Sequence, residues 1–293
     1  MEGKYDVGLV LEGGGVRGIF TAGLCDSLLD WGVTFDYVIG TSAGASNGCT
    51  YLAGQRGRSR FVNIDLHNLR PYVGLGCVMR GRGFFDLDFV FDEVQENYYP
   101  YDFVTYQQNP ARMVIVMTSA VTGEAVYCEE RNDFKRFSDA CRASCSLPLM
   151  CPTWHVDGEP MLDGGVGDSI PFRKALADGC RHVVVVTTKE ASYRKSERPF
   201  WLPSRVYKQF PRLREALLTR GRRYNEQLDD LAQLEAQGIA KVIRPKDMHG
   251  VTRTTQEVEP LEALYAEGLK AGRELAEQLN NWKKEWEAQD GGK

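Results

Sequence analysis

The sequence predicts an α/β fold, with a mainly parallel sheet sandwiched between helices and helical additions at the C-terminus. Short apolar, β-branched segments such as VGLVLEGG (7–14) and HVVVVTT (182–188) are typical of buried strands. Helical patterns alternate with them, beginning with IFTAGLCDSLLDWG (19–32), which we expect to be amphipathic. Strands that are apolar on both faces indicate a sheet covered by helices on both sides.

The remaining elements follow from the same signals. Further strands are predicted at 35–40, 112–120 and 123–129, with an edge strand at 241–245. Residues 153–165 (TWHVDGEPMLDGG) indicate a hairpin that turns at Asp157-Gly158. The glycine-rich stretch 74–83 is expected to be a mobile loop that leads into a helix at 84–94, and the last helix is expected at about 257–289.

The organisation of the chain is that of one domain. No internal repeat or low-complexity linker divides it, so we predict a single domain over residues 1–293. Its core is expected at about 5–190 and its helical C-terminal extension at about 191–293.

Bulk composition excludes some classes of protein. A net charge of -4 gives no overall attraction to nucleic acid. No stretch approaches the roughly 20 apolar residues of a membrane span, and the first residues lack a signal-peptide layout, so a cytoplasmic location is expected. The eight cysteines are then expected to be buried thiols. Cys141, Cys145 and Cys151 cluster, but no Cys-x-x-Cys pair is present and no metal site is predicted.

The segment Gly40-Thr41-Ser42-Ala43-Gly44 follows a predicted strand and precedes a helix of small residues. This is the setting of a nucleophile elbow, in which glycines permit a sharp strand-to-helix turn. The Ser42 hydroxyl would then stand at a helix N-terminus, where amide groups favour developing negative charge.

The loop GGGVRG (13–18) has the spacing G-x-G-x-x-G after a strand. A dinucleotide site would need an acidic residue at the end of the next strand, but Asp36 stands at its start. A phosphate-binding P-loop is excluded because Ile19 occupies the lysine position. We therefore interpret the loop as an oxyanion hole, for which a simple tight turn is the alternative.

A serine nucleophile needs a base, and neither His182 nor His249, the candidates in chain order, lies in a recognisable motif. Asp163, in MLDGG, follows an apolar strand instead. A buried carboxylate beside Ser42 could accept its proton directly.

Together, GGGVRG, GTSAG and DGG, in that order, resemble the patatin-like phospholipase family over about residues 7–171. The resemblance implies a Ser-Asp dyad, with Ser42 as nucleophile and Asp163 as general base, and no cofactor. It implies an oxyanion hole formed by the backbone of the glycine loop, in which Arg17 orders the loop or helps to meet the charge of the substrate. The residues so implied are Gly13, Gly14, Gly15, Val16 and Arg17, with the motif glycines Gly18, Gly40, Gly44, Gly164 and Gly165.

Two later segments extend this likeness. The segment from Ala143 to Pro148 resembles the family's Ala-Ser-x-Ala-x-Pro, with Ser146 in place of the usual alanine. The stretch TTKEASYRK and the C-terminal tail are similar to a subgroup of bacterial patatin-like proteins. We expect a lipid acyl hydrolase that takes a lipid or acyl-ester substrate. An acyltransferase with the same dyad and a catalytically silent lipid-binding regulatory protein remain the alternatives.

A basic stretch follows the predicted core. Between Tyr193 and Tyr224 lie ten basic residues and only two acidic ones, together with Phe200 and Trp201. One interpretation is transient docking on anionic lipid, which would make the protein peripheral at a membrane. The other is a solvated helix whose charges pair with the acidic segment that follows.

Overall fold

A computed structural model describes residues 4–198 and 202–290 of the chain. Within them, eight strands form one sheet. They are β1 (Tyr5–Leu11), β2 (Tyr37–Thr41), β3 (Arg112–Ser119), β4 (Ala125–Cys128), β5 (Trp154–Val156), β6 (Glu159–Asp163), β7 (Cys180–Val186) and β8 (Ala240–Ile243).

Helices flank this sheet. They are α1 (Ile19–Asp30), α2 (Ala43–Leu52), α3 (Arg58–Arg60), α4 (Leu66–Leu69), α5 (Leu75–Met79), α6 (Val94–Asn97), α7 (Phe103–Gln108), α8 (Phe134–Cys145), α9 (Phe172–Ala177), α10 (Pro211–Ala236) and α11 (Val258–Asp290). Short 3-10 turns occupy Gly15–Gly18 and Gly164–Val166, and π-helical turns occupy Phe61–Asp65 and Phe89–Glu93.

The sheet has the order β5-β6-β3-β2-β1-β7-β8, and β4 pairs with β3 beside this path. The five strands from β3 to β8 are parallel, whereas β4, β5 and β6 are joined by antiparallel pairing. The predicted α/β fold is therefore confirmed. Leu11, the last residue of β1, lies beside Gly40 of β2 and Val186 of β7. The loops that follow these three strands consequently emerge side by side at one edge of the sheet.

The predicted hairpin is confirmed as β5 and β6. Its turn residues, Asp157 and Gly158, have φ values of 54° and 82°, as a tight hairpin turn requires. Asp163, at the end of β6, pairs with Met117 of β3. The hairpin thus carries Asp163 to the same edge of the sheet as the end of β2.

The expectation that α1 is amphipathic is wrong. Every residue from Ile19 to Leu28 is buried, so the helix has no solvent-facing side over that length. The reason is α11, which packs along α1 and covers the face that the local pattern leaves polar. Gly23 permits this contact, since a Cβ built there would lie 2.2 Å from the Tyr265 carbonyl oxygen.

Several smaller expectations are also resolved. The predicted edge strand is β8, which pairs in parallel with β7. All eight cysteines are free thiols and seven of them are buried, as expected. Residues 74–83 include a short helix, α5, and the helix expected at 84–94 begins only at Leu87. In the part of the chain that is described, no helix combines the length and apolarity needed to cross a bilayer.

The second half of the basic stretch and the acidic stretch after it belong to one helix, α10, whereas the basic residues from Arg194 to Lys208 precede it. Many of the basic side chains make contacts within the chain: Arg194 pairs with Asp229 at 3.0 Å, and Arg222 with Glu226 at 3.6 Å. Phe200 and Trp201, which the sequence suggests as lipid anchors, lie outside the described residues. Part of the positive charge of this stretch is thus paired within the protein, whereas other members, such as Lys195 and Arg220, form no ion pair among the described residues.

Packing of α11 on α1 generates a prediction. A Cβ at Gly268 of α11 would lie 2.1 Å from the Phe20 carbonyl oxygen, so Gly268→Ala forces the two helix backbones apart. We expect a loss of about 1–3 kcal/mol in the free energy of unfolding, measured by urea denaturation. The control is Gly76→Ala in α5, whose nearest atom would be the Arg80 side chain at 3.6 Å. Equal stability of both variants and the wild type would contradict the close packing.

Candidate active site

Ser42 occupies a strained turn between β2 and α2. Its φ of 55° and ψ of -125° are rare for a residue with a side chain and cost about 1–3 kcal/mol. The turn closes on itself, because a Cβ at Gly40 would lie 2.5 Å from the Gly44 carbonyl group. A Cβ at Gly44 would lie 2.3 Å from the Leu11 carbonyl oxygen. Both positions therefore require glycine, and the geometry is that of the elbow predicted from the sequence.

The glycine loop lies directly against this elbow. A Cβ at Gly13 would be 3.0 Å from the Thr41 carbonyl oxygen and 3.1 Å from the Ser42 Cβ. Gly15 has a φ of 59°, and Gly18 approaches Ala43, where two Cβ atoms would be only 2.7 Å apart. Glycine at these positions brings the loop backbone to the Ser42 side chain.

The amides of this loop differ in their availability. Among the described residues, the N–H groups of Gly13, Gly14 and Gly15 donate to no protein acceptor. The Val16 N–H, in contrast, donates to the Arg253 carbonyl oxygen at 3.2 Å. The expectation that Val16 contributes an oxyanion-hole donor is thus not met, because a segment distant in sequence occupies its amide. The Arg17 Nε donates to the Gly14 carbonyl oxygen at 3.3 Å, which orders the loop.

Asp163 is buried and firmly held at the end of β6. Its Oδ1 accepts a hydrogen bond from the Gly165 N–H at 2.9 Å, and its backbone carbonyl accepts one from Thr118. A Cβ at Gly164 would lie 2.1 Å from the Val116 carbonyl oxygen, so the turn after Asp163 also requires glycine. Its Oδ2 is buried and has no hydrogen-bond partner in the described part of the chain. One carboxylate oxygen therefore remains available as an acceptor.

A segment near the end of α8 ties the serine to the aspartate. The Ser144 hydroxyl accepts a hydrogen bond from the Ser42 N–H at 2.8 Å and donates to the Val116 carbonyl oxygen at 2.6 Å. Two residues later, the Ser146 carbonyl oxygen accepts from the Asp163 N–H at 2.8 Å. The sequence drew attention to this segment by its resemblance, but the pattern gave no sign of these contacts.

Ser42 and Asp163 line the same small cavity, which also contains Gly13, Gly14 and Gly15; its empty volume, including the part open to solvent, is about 320 Å³. We call it the polar cavity. No hydrogen bond joins the two side chains among the described residues. None of the histidine side chains that are described lines the cavity either: His155 is exposed, His182 stacks on Trp286, and His249 lies 3.2 Å from Glu267.

A second cavity also has Ser42 in its wall. Its empty volume, including the part open to solvent, is about 1080 Å³. Aliphatic and aromatic side chains dominate its walls, among them Val62, Phe85, Leu87, Phe91 and Phe137. We call it the apolar cavity. Ser42, Gly15 and Leu147 line both cavities, so the two meet at the serine.

Comparison with known proteins identifies the family of this chain. A sequence model described as patatin-like phospholipase matches residues 9–176, which is more than half of the chain. The chain belongs to the patatin-like phospholipase family. A second model, for a domain of unknown function (DUF6363), matches residues 210–284 of this patatin-like chain.

Two individual proteins are similar to this chain in sequence, and one solved structure is similar in fold. The uncharacterized protein YjjU of Escherichia coli is 31% identical over 195 residues, which are 62% of the chain and 52% of that protein. Lysophospholipase NTE1 of Saccharomyces cerevisiae is 26% identical over 67% of the chain and 12% of that protein. The structure of VipD from Legionella pneumophila superimposes with a TM-score of 0.51 at 14% identity, over 94% of the chain and 66% of VipD. The last comparison supports the fold alone.

A buried ion pair lies behind the glycine loop of the patatin-like chain. The Lys189 Nζ lies 2.6 Å from Glu12 Oε1, which also accepts from the Tyr224 hydroxyl at 2.8 Å. The other Glu12 oxygen accepts from the Thr188 N–H at 2.6 Å. Burial lowers the pKa of Lys189 to about 8, although the Glu12 carboxylate opposes the shift. Sequence reasoning missed this pair, whose only signal is a charged residue just after each of two neighbouring apolar strands.

This pair generates a prediction about stability. Lys189→Met leaves the Glu12 carboxylate buried without its counter-ion, and we expect the free energy of unfolding to fall by about 3–5 kcal/mol. Urea denaturation at neutral pH measures the change. Arg222→Met, which removes the exposed pair with Glu226, is the matched control and should cost less than about 1 kcal/mol. The double variant Glu12→Gln/Lys189→Met should be more stable than Lys189→Met alone, and the opposite order would contradict this account.

Proposed function

We propose that the chain is a serine acyl-ester hydrolase of lipids, with Ser42 as nucleophile and Asp163 as general base. One observation carries the proposal. Ser42, whose backbone is strained, lies where an apolar cavity meets a polar one that contains free backbone amides and an unsatisfied carboxylate oxygen. An ester of a long acyl chain and a polar alcohol likewise has one apolar part and one polar part, which would match the two cavities. Family membership and the similarity to a yeast protein named lysophospholipase support lipid hydrolysis.

In the proposed reaction, Asp163 Oδ2 accepts the Ser42 hydroxyl proton as Oγ bonds to the acyl carbon. The carbonyl oxygen becomes an oxyanion, which the amides of Gly13, Gly14 and Gly15 stabilise, at about 3 kcal/mol for one good donor. As the ester bond breaks, the leaving alkoxide takes the proton from Asp163. Asp163 then deprotonates a water molecule, which attacks the acyl-serine. As the bond from the acyl carbon to Oγ breaks, Ser42 takes the proton back from Asp163 and the fatty acid is released. The positions of the donors are fixed before the reaction, so little reorganisation is needed.

The Ser-Asp dyad predicts a specific pattern of variants. Ser42→Ala and Asp163→Asn should each lower the rate of p-nitrophenyl ester hydrolysis by about 1,000-fold or more, because each removes a group that forms or breaks a bond. Ser42→Ala should also abolish labelling by a fluorophosphonate probe.

Controls for this pattern come from the same hairpin and from the histidines. Asp157→Asn, at the exposed turn of the hairpin that carries Asp163, should retain hydrolysis, as should His155→Gln and His249→Gln. A histidine variant that loses as much rate as Asp163→Asn would contradict the dyad. Equal labelling of Ser42→Ala and the wild type would show that the hydrolase proposal is wrong.

The apolar cavity predicts a preference for longer acyl chains. It is lined along α2 from Ala43 to Thr50, a rise of about 10 Å. Each methylene buried there should raise kcat/KM by up to about fourfold until the cavity is filled. p-Nitrophenyl esters of graded chain length measure this dependence, and Ser42→Ala supplies the background rate. A profile that is flat or falls from the shortest ester would contradict the assignment of this cavity to the acyl chain.

A further inference from the structure

The polar cavity is strongly cationic. Five basic residues line it together with only two acidic ones, Glu12 and Asp163. The basic residues are Arg17, Lys189, Lys195, Arg220 and Arg253. Glu12 is already paired with Lys189 at 2.6 Å. Four cations therefore remain around the carboxylate that the proposed reaction uses as its base.

These four cations have no carboxylate partner of their own. Among the described residues, none of them forms an ion pair. Arg17 and Arg220 donate instead to backbone carbonyl oxygens of Gly14 and Gly165, at 3.3 and 2.6 Å. The Lys195 Nζ lies 3.7 Å from the centre of the Tyr224 ring. Such contacts orient the side chains, and five basic residues against two carboxylates leave the cavity with an excess of positive charge.

Crowding of like charges has an energetic consequence. Loss of hydration in the cavity lowers the pKa of Lys195, and the neighbouring Arg220 lowers it further. Loss of hydration also lowers the pKa of Arg220, against the opposing effect of Asp163. Partly desolvated charges of one sign are unfavourable together, and a bound anion relieves their repulsion. The empty cavity is therefore electrostatically suited to receive a negative group.

The position of the cavity identifies which part of a substrate would enter it. It meets the apolar cavity at Ser42, Gly15 and Leu147. When an acyl chain fills the apolar side, the alcohol that leaves the ester must point into the polar side. We propose that this alcohol carries a phosphate group, so that the substrate is an anionic monoacyl phospholipid of the lysophosphatidic acid type. The proposal rests on the ester hydrolysis proposed above.

The charge of the head group sets the specificity. An arginine side chain can donate two parallel hydrogen bonds to a pair of phosphate oxygens, and several arginines line this one small cavity. A choline head group would bring a quaternary ammonium ion among these cations and be repelled. A neutral monoacylglycerol would leave the cations without an anion. The phosphate monoester is thus favoured over both.

Three of these four cations come from the C-terminal part of the chain. Lys195, Arg220 and Arg253 all follow the residues 9–176 that match the patatin-like model, and Arg220 and Arg253 lie within the second matched segment. Arg253 also holds the Val16 N–H through its carbonyl oxygen. The region after residue 190 would therefore select the head group of the substrate, while the preceding region would carry out the reaction.

The test compares three substrates with the same acyl chain: lysophosphatidic acid, lysophosphatidylcholine and monoacylglycerol, each dispersed in uncharged detergent. For the full wild-type chain, kcat/KM should be at least about tenfold higher for lysophosphatidic acid than for either other lipid. In Lys195→Gln, Arg253→Gln and the double variant, the ratio of lysophosphatidic acid to monoacylglycerol should fall by about 10- to 100-fold. Arg220 is left intact because its contact with Gly165 would also disturb the turn beside Asp163.

The matched control is Lys208→Gln/Arg222→Gln, which removes the same two charges from exposed positions before and on α10. This control should keep the wild-type ratio, and thermal unfolding should confirm that all variants are folded. Equal rates of the wild type on the three lipids would overturn the head-group inference and leave the proposed hydrolase intact. The same fall of the ratio in the control would also overturn it, because attraction by overall charge would then suffice. Failure of the wild type to hydrolyse any of the lipids would overturn both.

Discussion

The candidate site depends on close contacts between backbone segments that only glycine permits. Gly44 places the start of α2 against the carbonyl group of Leu11, and Gly164 places the turn after Asp163 against the carbonyl group of Val116. A Cβ at these positions would lie 2.3 and 2.1 Å from the respective carbonyl oxygens. The two loops are therefore packed directly on the end of β1 and on the middle of β3. Their relative position follows from the sheet rather than from flexible side chains, which is the rigidity that a reactive pair of groups requires.

Hydrogen bonds from one short segment also fix the backbone of Ser42 and Asp163. Ser144 holds the backbone of Ser42, and the carbonyl group two residues later holds the backbone of Asp163. Because both ties come from one short segment, a movement of this segment would displace both residues together. The strained dihedral angles of Ser42 can persist only where the surroundings fix them in this way.

Local sequence patterns were sufficient for part of this arrangement. The order of strands and helices, the hairpin, the elbow at Ser42 and the glycine loop each depend on neighbouring residues, and they are found where the patterns predict them. Asp163 needed more, because an Asp-Gly pair is common at turns and only its place beside the other two motifs singles it out. The burial of α1, the occupied amide of Val16 and the gathering of basic side chains around the polar cavity were not predicted, although the sequence shows Arg17 and the basic stretch themselves. Each depends on a contact between segments far apart in the chain, and no local pattern reveals which distant segment covers a given face.

The C-terminal region is more than an addition to a finished core. The residues that match the patatin-like model end at 176, before β7, yet β7 lies inside the sheet between β1 and β8. Without the later residues, β1 would become an edge strand and α1 would expose the face that α11 covers, at a large cost in buried apolar surface. The carboxyl end of β7 also supplies Thr188 and Lys189, which bind Glu12 beneath the glycine loop. Sheet, loop and polar cavity thus all include residues that follow the matched segment 9–176.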